Sequence, residues 1–354
     1  MLLMEKHLER WIFGYLRQRL QRLPAPKPSH VLFALCDHFE PLWGGADPSV
    51  GLCRVNAWRE RYPELGREFR DVDGRPPRHT FFFPAEQYSP DLMAPLAELT
   101  RQGLAEVELH LHHRDDDAPQ LEHTIVEALT RYASHGLLSR DANGALRYAF
   151  VHGNWCLANS GPWCGVDSEL DVLWRTGCFA DFTFPSAPDP SQPPIVNEIY
   201  WPLGDPKRAR GHERGEPARV GRRRRDRILL VEGPLGFDRG GRFGVRMENG
   251  ALSERDPPTE RRARTWLRQD VHVRGRPEWA FVKVHTHGAP ESRARALLGT
   301  SGRELHRALA ALGTRLHYVT AREMYCIACA AMDGHSGDPD LYRDYLLRPP
   351  PVVS

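Results

Sequence analysis

Short runs of β-branched and aromatic residues alternate with longer stretches of helical periodicity along this chain, the pattern of βα units built around a parallel sheet. Eight runs read as strands: His30 to Cys36, His79 to Pro84, Glu106 to His112, Tyr148 to His152, Phe179 to Phe184, Ile228 to Glu232, Phe281 to His285 and Leu316 to Thr320. Between them the spacing predicts helices over Val55 to Phe69, Pro90 to Gln102, Pro119 to His135, Asp167 to Thr176, Pro258 to Arg268 and Gly302 to Leu312, each long enough to cross back over a sheet. Gly136 and Gly177 follow two of these stretches as stop signals. The choice at this level lies between a barrel and a doubly wound sheet.

Three flanking segments depart from the pattern. Residues 1–23 place Leu8, Trp11, Ile12, Tyr15, Leu16 and Leu20 at helical spacing among arginines, which predicts an amphipathic helix packed on its own domain, with peripheral membrane contact as the lesser reading. Residues 207–227 hold ten Lys or Arg, three acids and three Gly, and predict a flexible Arg-rich loop without a strand. Residues 335–354 predict a C-terminal arm, so the expected division is a helix over 1–28, one barrel-like domain over 29–334 and that arm.

Composition narrows the function classes. The chain has 354 residues, 41% hydrophobic and 27% charged, with 48 Lys plus Arg against 46 Asp plus Glu. A net charge of +2 gives no global field for nucleic acid, and no apolar run approaches the roughly 20 residues of a membrane span. Seven cysteines without a secretion signal read as reduced thiols, so a cytoplasmic setting is expected, and Cys326 and Cys329 read as a buried pair in a helix. Neither a GxSxG elbow nor a Gly-rich phosphate loop follows a strand, which argues against serine-hydrolase and nucleotide chemistry.

The candidate chemistry sits where strands end. The first runs into Asp37-His38-Phe39-Glu40, the second into Glu86, the third into His110-Leu111-His112-His113, the fourth into His152-Gly153-Asn154-Trp155 and the seventh into His285-Thr286-His287. Seven of the 17 histidines lie in these segments. In a (β/α) barrel such ends converge on one face, which carries the active site. Period-two alternation puts His110 and His112 on one side of their strand, where one divalent ion, zinc by ligand type, could hold both, with Asp37 or His38 as the third ligand. His113 then points the other way.

The order of these motifs resembles the polysaccharide deacetylase family, the NodB-homology carbohydrate esterases, and more closely the deacetylase-like proteins of bacterial exopolysaccharide clusters. The resemblance covers roughly His30 to Tyr345, through Cys36 to Pro41, Leu109 to His112, Val151 to Ser160, Phe179 to Pro188, Glu232 to Leu235 and Val284 to Gly288. It implies a distorted (β/α) barrel of seven or eight mostly parallel strands and a metal-dependent hydrolase that removes N- or O-acetyl groups from a polysaccharide or its precursor. Carried over, Asp37 is the catalytic base, His38 with His110 and His112 hold the metal, and His287 is the general acid. Glu40, Glu86, His152, Asn154, Trp155 and His285 shape the substrate site. The sequence departs from the family pattern in three ways: His38 stands for an aspartate, one residue instead of three separates the histidine pair, and an arginine-proline motif is missing. A register with Asp37 as ligand and Glu40 as base stays open. So do two other functions: glycoside cleavage by a pair from Glu40, Glu86, Asp181 and Glu198, and a silent carbohydrate-binding scaffold. Trp43, Trp155, Trp163 and Trp201 are the candidate faces for sugar rings.

Overall fold

Apolar residues on both sides of a strand require a covering layer on each face, and the computed structural model supplies two different ones. It describes residues 7–22, 27–239 and 244–351. Eight strands form the parallel part of an 11-stranded sheet: β1 (His30–His38), β2 (His79–Pro84), β3 (Ala105–Leu111), β5 (Leu146–His152), β6 (Cys178–Asp181), β9 (Leu229–Val231), β12 (Trp279–Thr286) and β13 (Arg315–Tyr318). Each overlaps one of the eight predicted runs. The path is β12-β1-β2-β3-β5-β6-β9, and β13 also pairs with the first half of β1.

Antiparallel additions complete the sheet. β4 (Ser139–Arg140) pairs with β5, while β7 (Ile199–Pro202) and β8 (Gly215–Pro217) extend it beyond β9. A separate hairpin joins β10 (Gly236–Arg239) to β11 (Val245–Glu248). The fold is thus mixed α/β with a mostly parallel central sheet. Among the described residues no strand ladder joins β12 to β8, the two ends of the path.

Alternation divides the side chains of β1 cleanly. Val31, Phe33 and Leu35 join one apolar cluster, in which the outer face of the sheet meets α2 (Pro48–Glu68), α3 (Pro90–Arg101), α4 (Ala118–Ser134), α5 (Glu169–Arg175), α6 (Glu260–Arg268), α7 (Glu291–Leu298) and α8 (Thr300–Ala310). Leu32, Ala34 and Cys36 join a second cluster with Phe82, Ala149, Val151, Leu229, Phe281 and the last helix, α9 (Ala321–Met332). α9 is buried along nearly its whole length because it lies against this inner face. Cys326 and Cys329 sit within it, and burial pushes the Cys326 thiol up to about 11, as expected of an inert pair.

Most boundaries follow local chemistry. α2 begins at Pro48, seven residues before the predicted start, because the Asp47 side chain accepts from Ser49 N at 2.8 Å and Pro48 takes the first helical turn. Gly136 and Gly177 adopt φ of 74° and 98°, the left-handed turn that ends the preceding helices.

Of the three remaining segments, the 207–227 stretch departs from expectation. Leu8–Gln21 is helical (α1), and Trp11 is fully buried against Ala187, Val196 and Leu235. Gln18 donates to Gln269 O at 3.0 Å, so this helix packs on its own domain; Phe13, Leu16 and Leu20 face outward. No described helix is long and apolar enough to cross a membrane. The 207–227 segment, expected to hold no strand, contains β8, and several of its arginines are ion-paired: Arg223 with Asp333 at 2.9 Å and Arg224 with Asp226 at 3.1 Å. The C-terminal arm is docked by Arg343, whose guanidinium reaches Glu323 at 3.2 Å, and by buried Leu347.

At the bottom of the inner face Arg322 is 1% exposed and donates to Glu106 at 2.8 Å, to Asp344 at 2.6 Å and to the Leu347 carbonyl at 3.0 Å. Removing one member of a buried pair leaves the other charge stranded. Arg322→Met should therefore lower unfolding free energy by roughly 3–5 kcal/mol in urea titration, and adding Glu106→Leu should recover much of that loss.

Candidate functional site

The inner-face parity that carries Leu32, Ala34 and Cys36 continues to His38 and Glu40. Register sets their height: His38 pairs with Phe82, and two residues further along β2 Pro84 pairs with His110. On the opposite flank Cys36 pairs with His285. Glu40, His110, His112, His38, His285 and His287 therefore meet at the C-terminal end of the sheet, although they come from three distant parts of the sequence.

Three of them form one candidate metal group. The ligand atoms of Glu40, His110 and His112 lie within 4.8 Å of one another. Glu40 Oε1 is 3.1 Å from His110 Nε2 and 3.3 Å from His112 Nε2. Each imidazole is fixed from behind: His110 Nδ1 donates to the Val151 carbonyl at 2.8 Å, and His112 Nδ1 donates to Glu86 at 2.6 Å. That leaves both Nε2 atoms aimed at one carboxylate oxygen, the outer support typical of a metal-binding histidine. Tetrahedral ligands about 2.0–2.2 Å from an ion stand roughly 3.3–3.6 Å apart, close to the separations seen. Glu40 Oε2, His38 Nε2 and His287 Nδ1 are buried without a hydrogen-bond partner, so the cluster has unspent donor and acceptor capacity pointed inward. The residues fit a divalent ion.

The electrostatics follow from crowding. Burial alone would raise the Glu40 carboxyl, yet the His110, His112 and His287 imidazoles around it hold it well below the usual carboxylate range. Burial opposes charge on His112, but Glu40 and Glu86 raise it to about 9. His38 goes the other way, held well below 6.5 first by burial and then by His287, His110 and His285 around it. The His38 ring stands 4.9 Å from that of His287 and 5.3 Å from that of His110.

A cleft of about 520 Å³ opens beside the cluster, lined in part by Trp155, His285, His287, Asn249 and Arg293. Trp43 and Trp155 meet the His287 ring edge-on at 5.3 and 6.1 Å. Both are partly exposed, as a face for a sugar ring requires, whereas Trp201 is 2% exposed in the inner core and offers none. Trp163 is covered on one side by Arg114 at 4.9 Å.

Several expected site residues stand elsewhere. Asp37, expected as the base, occupies the opposite parity: its Oδ2 meets His79 Nε2 at 3.0 Å and its Oδ1 accepts from Gly288 N at 2.6 Å, among the outer-face helices. Both oxygens are occupied, and a Cβ at residue 288 would collide with Oδ2, so glycine is required there. Asp37 thus braces the β12 loop from outside. His38 is beside the ligand group but not in it; Glu40 supplies the third donor, where a role in substrate binding was expected. His152 also has outer parity and is fully buried away from the cleft. Asn154 is exposed at φ 54° next to Trp155. Of the alternative carboxylates, Asp181 bonds Thr183 Oγ1 at 2.8 Å and Glu198 is held by Arg22 and Arg274, both at 2.8 Å. Neither faces the cluster.

No protein-family model matches the chain, and no curated protein is significantly similar to it.

Two substitutions separate the faces. Glu40→Gln, by loss of the carboxylate charge, and His110→Ala, by loss of a donor, should each weaken zinc binding at least tenfold in isothermal titration. Asp37→Asn should leave that affinity unchanged while lowering unfolding free energy by about 1–3 kcal/mol, the cost of a disturbed buried hydrogen-bond pair.

Proposed function

We propose that the protein is a metal-dependent hydrolase that removes N- or O-acetyl groups from a polysaccharide or its precursor, on a distorted (β/α) barrel and in the cytoplasm. The observation that carries this reading is the convergence of Glu40, His110 and His112 on one point beside a cleft lined by Trp155 and His287, with Trp43 against the His287 ring. The resemblance of the motif order to the polysaccharide deacetylases supports it independently.

Glu40, His110 and His112 would hold the ion, which we take to be zinc; when bound it would supply Lewis-acid polarisation of the acyl carbonyl. The chain's own groups account for the protons. His38 stays neutral near pH 7, and its partnerless Nε2 is the acceptor for the proton of the attacking water. His287 Nδ1, 3.6 Å from Glu40 Oε2 and on the wall of the cleft, is the donor to the departing amine or alcohol. The opposed roles suit their surroundings: His38 is enclosed among other imidazoles, while His287 stands on the wall of the cleft. Trp43 and Trp155 orient the sugar across His287, and their edges exclude water from one side of the reacting bond.

Carbohydrate binding without turnover is the second reading, favoured by one observation, the placement of Asp37 outside the cluster. Acetate release from acetylated oligosaccharides distinguishes the two. Chelation should abolish release, and His287→Ala should lower kcat by roughly 10²- to 10⁴-fold, the usual worth of a general acid. Asp37→Asn should keep most of the activity. Release that is untouched in His110→Ala would overturn the hydrolase reading; saturable oligosaccharide binding with no release in the wild type would establish the other.

A further inference from the structure

A second group of ligating side chains lies on the other side of the sheet. His113 follows β3, His152 ends β5, Cys164 belongs to the connection between β5 and α5, and Glu169 is the first residue of α5. Their ligand atoms lie within 4.8 Å of one another, and His152, Cys164 and Glu169 are buried. Parity explains the separation from the first group: His152 follows Tyr148 and Phe150 on the outer face, and His113 is one residue out of phase with His110 and His112.

We propose that His113, His152, Cys164 and Glu169 form a second, structural zinc site that fixes the connection carrying Trp155. Four protein donors close the coordination sphere, the arrangement of a structural rather than a catalytic zinc.

The distances support it. Glu169 Oε1 is 3.2 Å from His113 Nε2 and 3.4 Å from His152 Nε2; Cys164 Sγ is 3.6 Å from Glu169 Oε2 and 3.9 Å from His113 Nε2. Ligand bonds of about 2.0–2.3 Å place tetrahedral donors roughly 3.3–3.8 Å apart. Both imidazoles are again held from behind, His113 Nδ1 by Asp116 at 2.9 Å and His152 Nδ1 by the Gly153 carbonyl. Without an ion, a charged His113 between Asp116 and Glu169 would satisfy itself. It would still leave His152 Nε2, fully buried, with no partner. An ion satisfies all four side chains at once.

The site also explains the loop. Residues 153–168 make a long connection for an α/β unit, and Trp155, Ala158 and Asn159 hold φ of 53–54°, unfavourable for side chains other than glycine. Glu169 Oε2 accepts from Ala158 N at 2.6 Å, and Cys164 anchors the far half. A tetrahedral ion would tie both halves to β3 and β5, so that Trp155 is presented to the cleft by a braced loop.

This inference stands apart from the hydrolase reading, because the first group contains no sulfur. Cobalt-loaded full-length protein should show a thiolate-to-cobalt charge-transfer band; it should persist in Glu40→Gln and disappear in Cys164→Ser. X-ray absorption of zinc-loaded wild type needs no variant and should show sulfur at about 2.3 Å. A zinc shell of nitrogen and oxygen alone, or a cobalt band that survives Cys164→Ser, would overturn the proposal. Loss of acetate release in Glu40→Gln with the cobalt band intact would show that the two sites fail separately.

Discussion

Strict alternation of side chains across a sheet whose two faces are both closed is the constraint on which the rest depends. β1 shows it in one run of nine residues. Its odd-numbered members from Val31 to Asp37 face the outer helices, and its even-numbered members from Leu32 to His38 face α9 and the cluster. A shift of one residue would exchange the faces completely. It would drive His38 and Glu40 into the layer of Trp58 and Tyr62 and set Asp37 at the mouth. The apolar content of the same strand forbids this, because Phe33 and Leu35 fill gaps between helices that Ala34 and Cys36 cannot. The position of the reactive groups is therefore fixed by residues with no chemistry of their own.

The inner face carries more polarity than a core normally tolerates, and it is arranged in levels. Glu106 is neutralised by Arg322 at the α9 end. One step up, Glu108 accepts from Ala149 N at 2.6 Å, and burial raises its carboxyl well above the usual range. Lys283 reaches across to the Phe182 carbonyl at 2.6 Å, with burial lowering its ammonium. At the top, three side chains with an unpartnered buried nitrogen or oxygen stand together: His38, Glu40 and His287. Unsatisfied groups that face one another in this way mark a place for a ligand.

Much of this was legible in the sequence because strand ends and alternation are local signals. All eight parallel strands could be located from apolar runs, and the grouping of His110 with His112 follows from period two. The same rule, applied to Asp37 and His38, sets those neighbours on opposite faces; reading them as a joint pair neglected it. Glu40 entered the ligand group because its level depends on the register between β1, β2 and β3, which no single segment encodes. β7, β8 and the β10–β11 hairpin were missed for a related reason. They are three or four residues long, and their pairing partners are decided by tertiary contact instead of pattern. The second histidine group was scattered among residues that looked like groove or spacer; only His113, read as pointing away from its neighbours, hinted that another side was occupied.

The two groups are coupled through backbone rather than through shared ligands. His110 gives its Nδ1 proton to the Val151 carbonyl, and the next residue, His152, turns outward into the second group. His112 and His113 are likewise adjacent and face opposite ways. The ends of β3 and β5 therefore each carry one group on either side, so that a displacement of either strand end would disturb both. Glu169 bonds His113 at 3.2 Å and stands 3.4 Å from His152 Nε2, so one buried carboxylate lies against both strand ends, one residue from the carbonyl that sets the His110 tautomer. Preorganisation of the inner group in this fold thus rests on an outer polar cluster that does not line the cleft, and the outer side of the sheet is what gives the inner side its geometry.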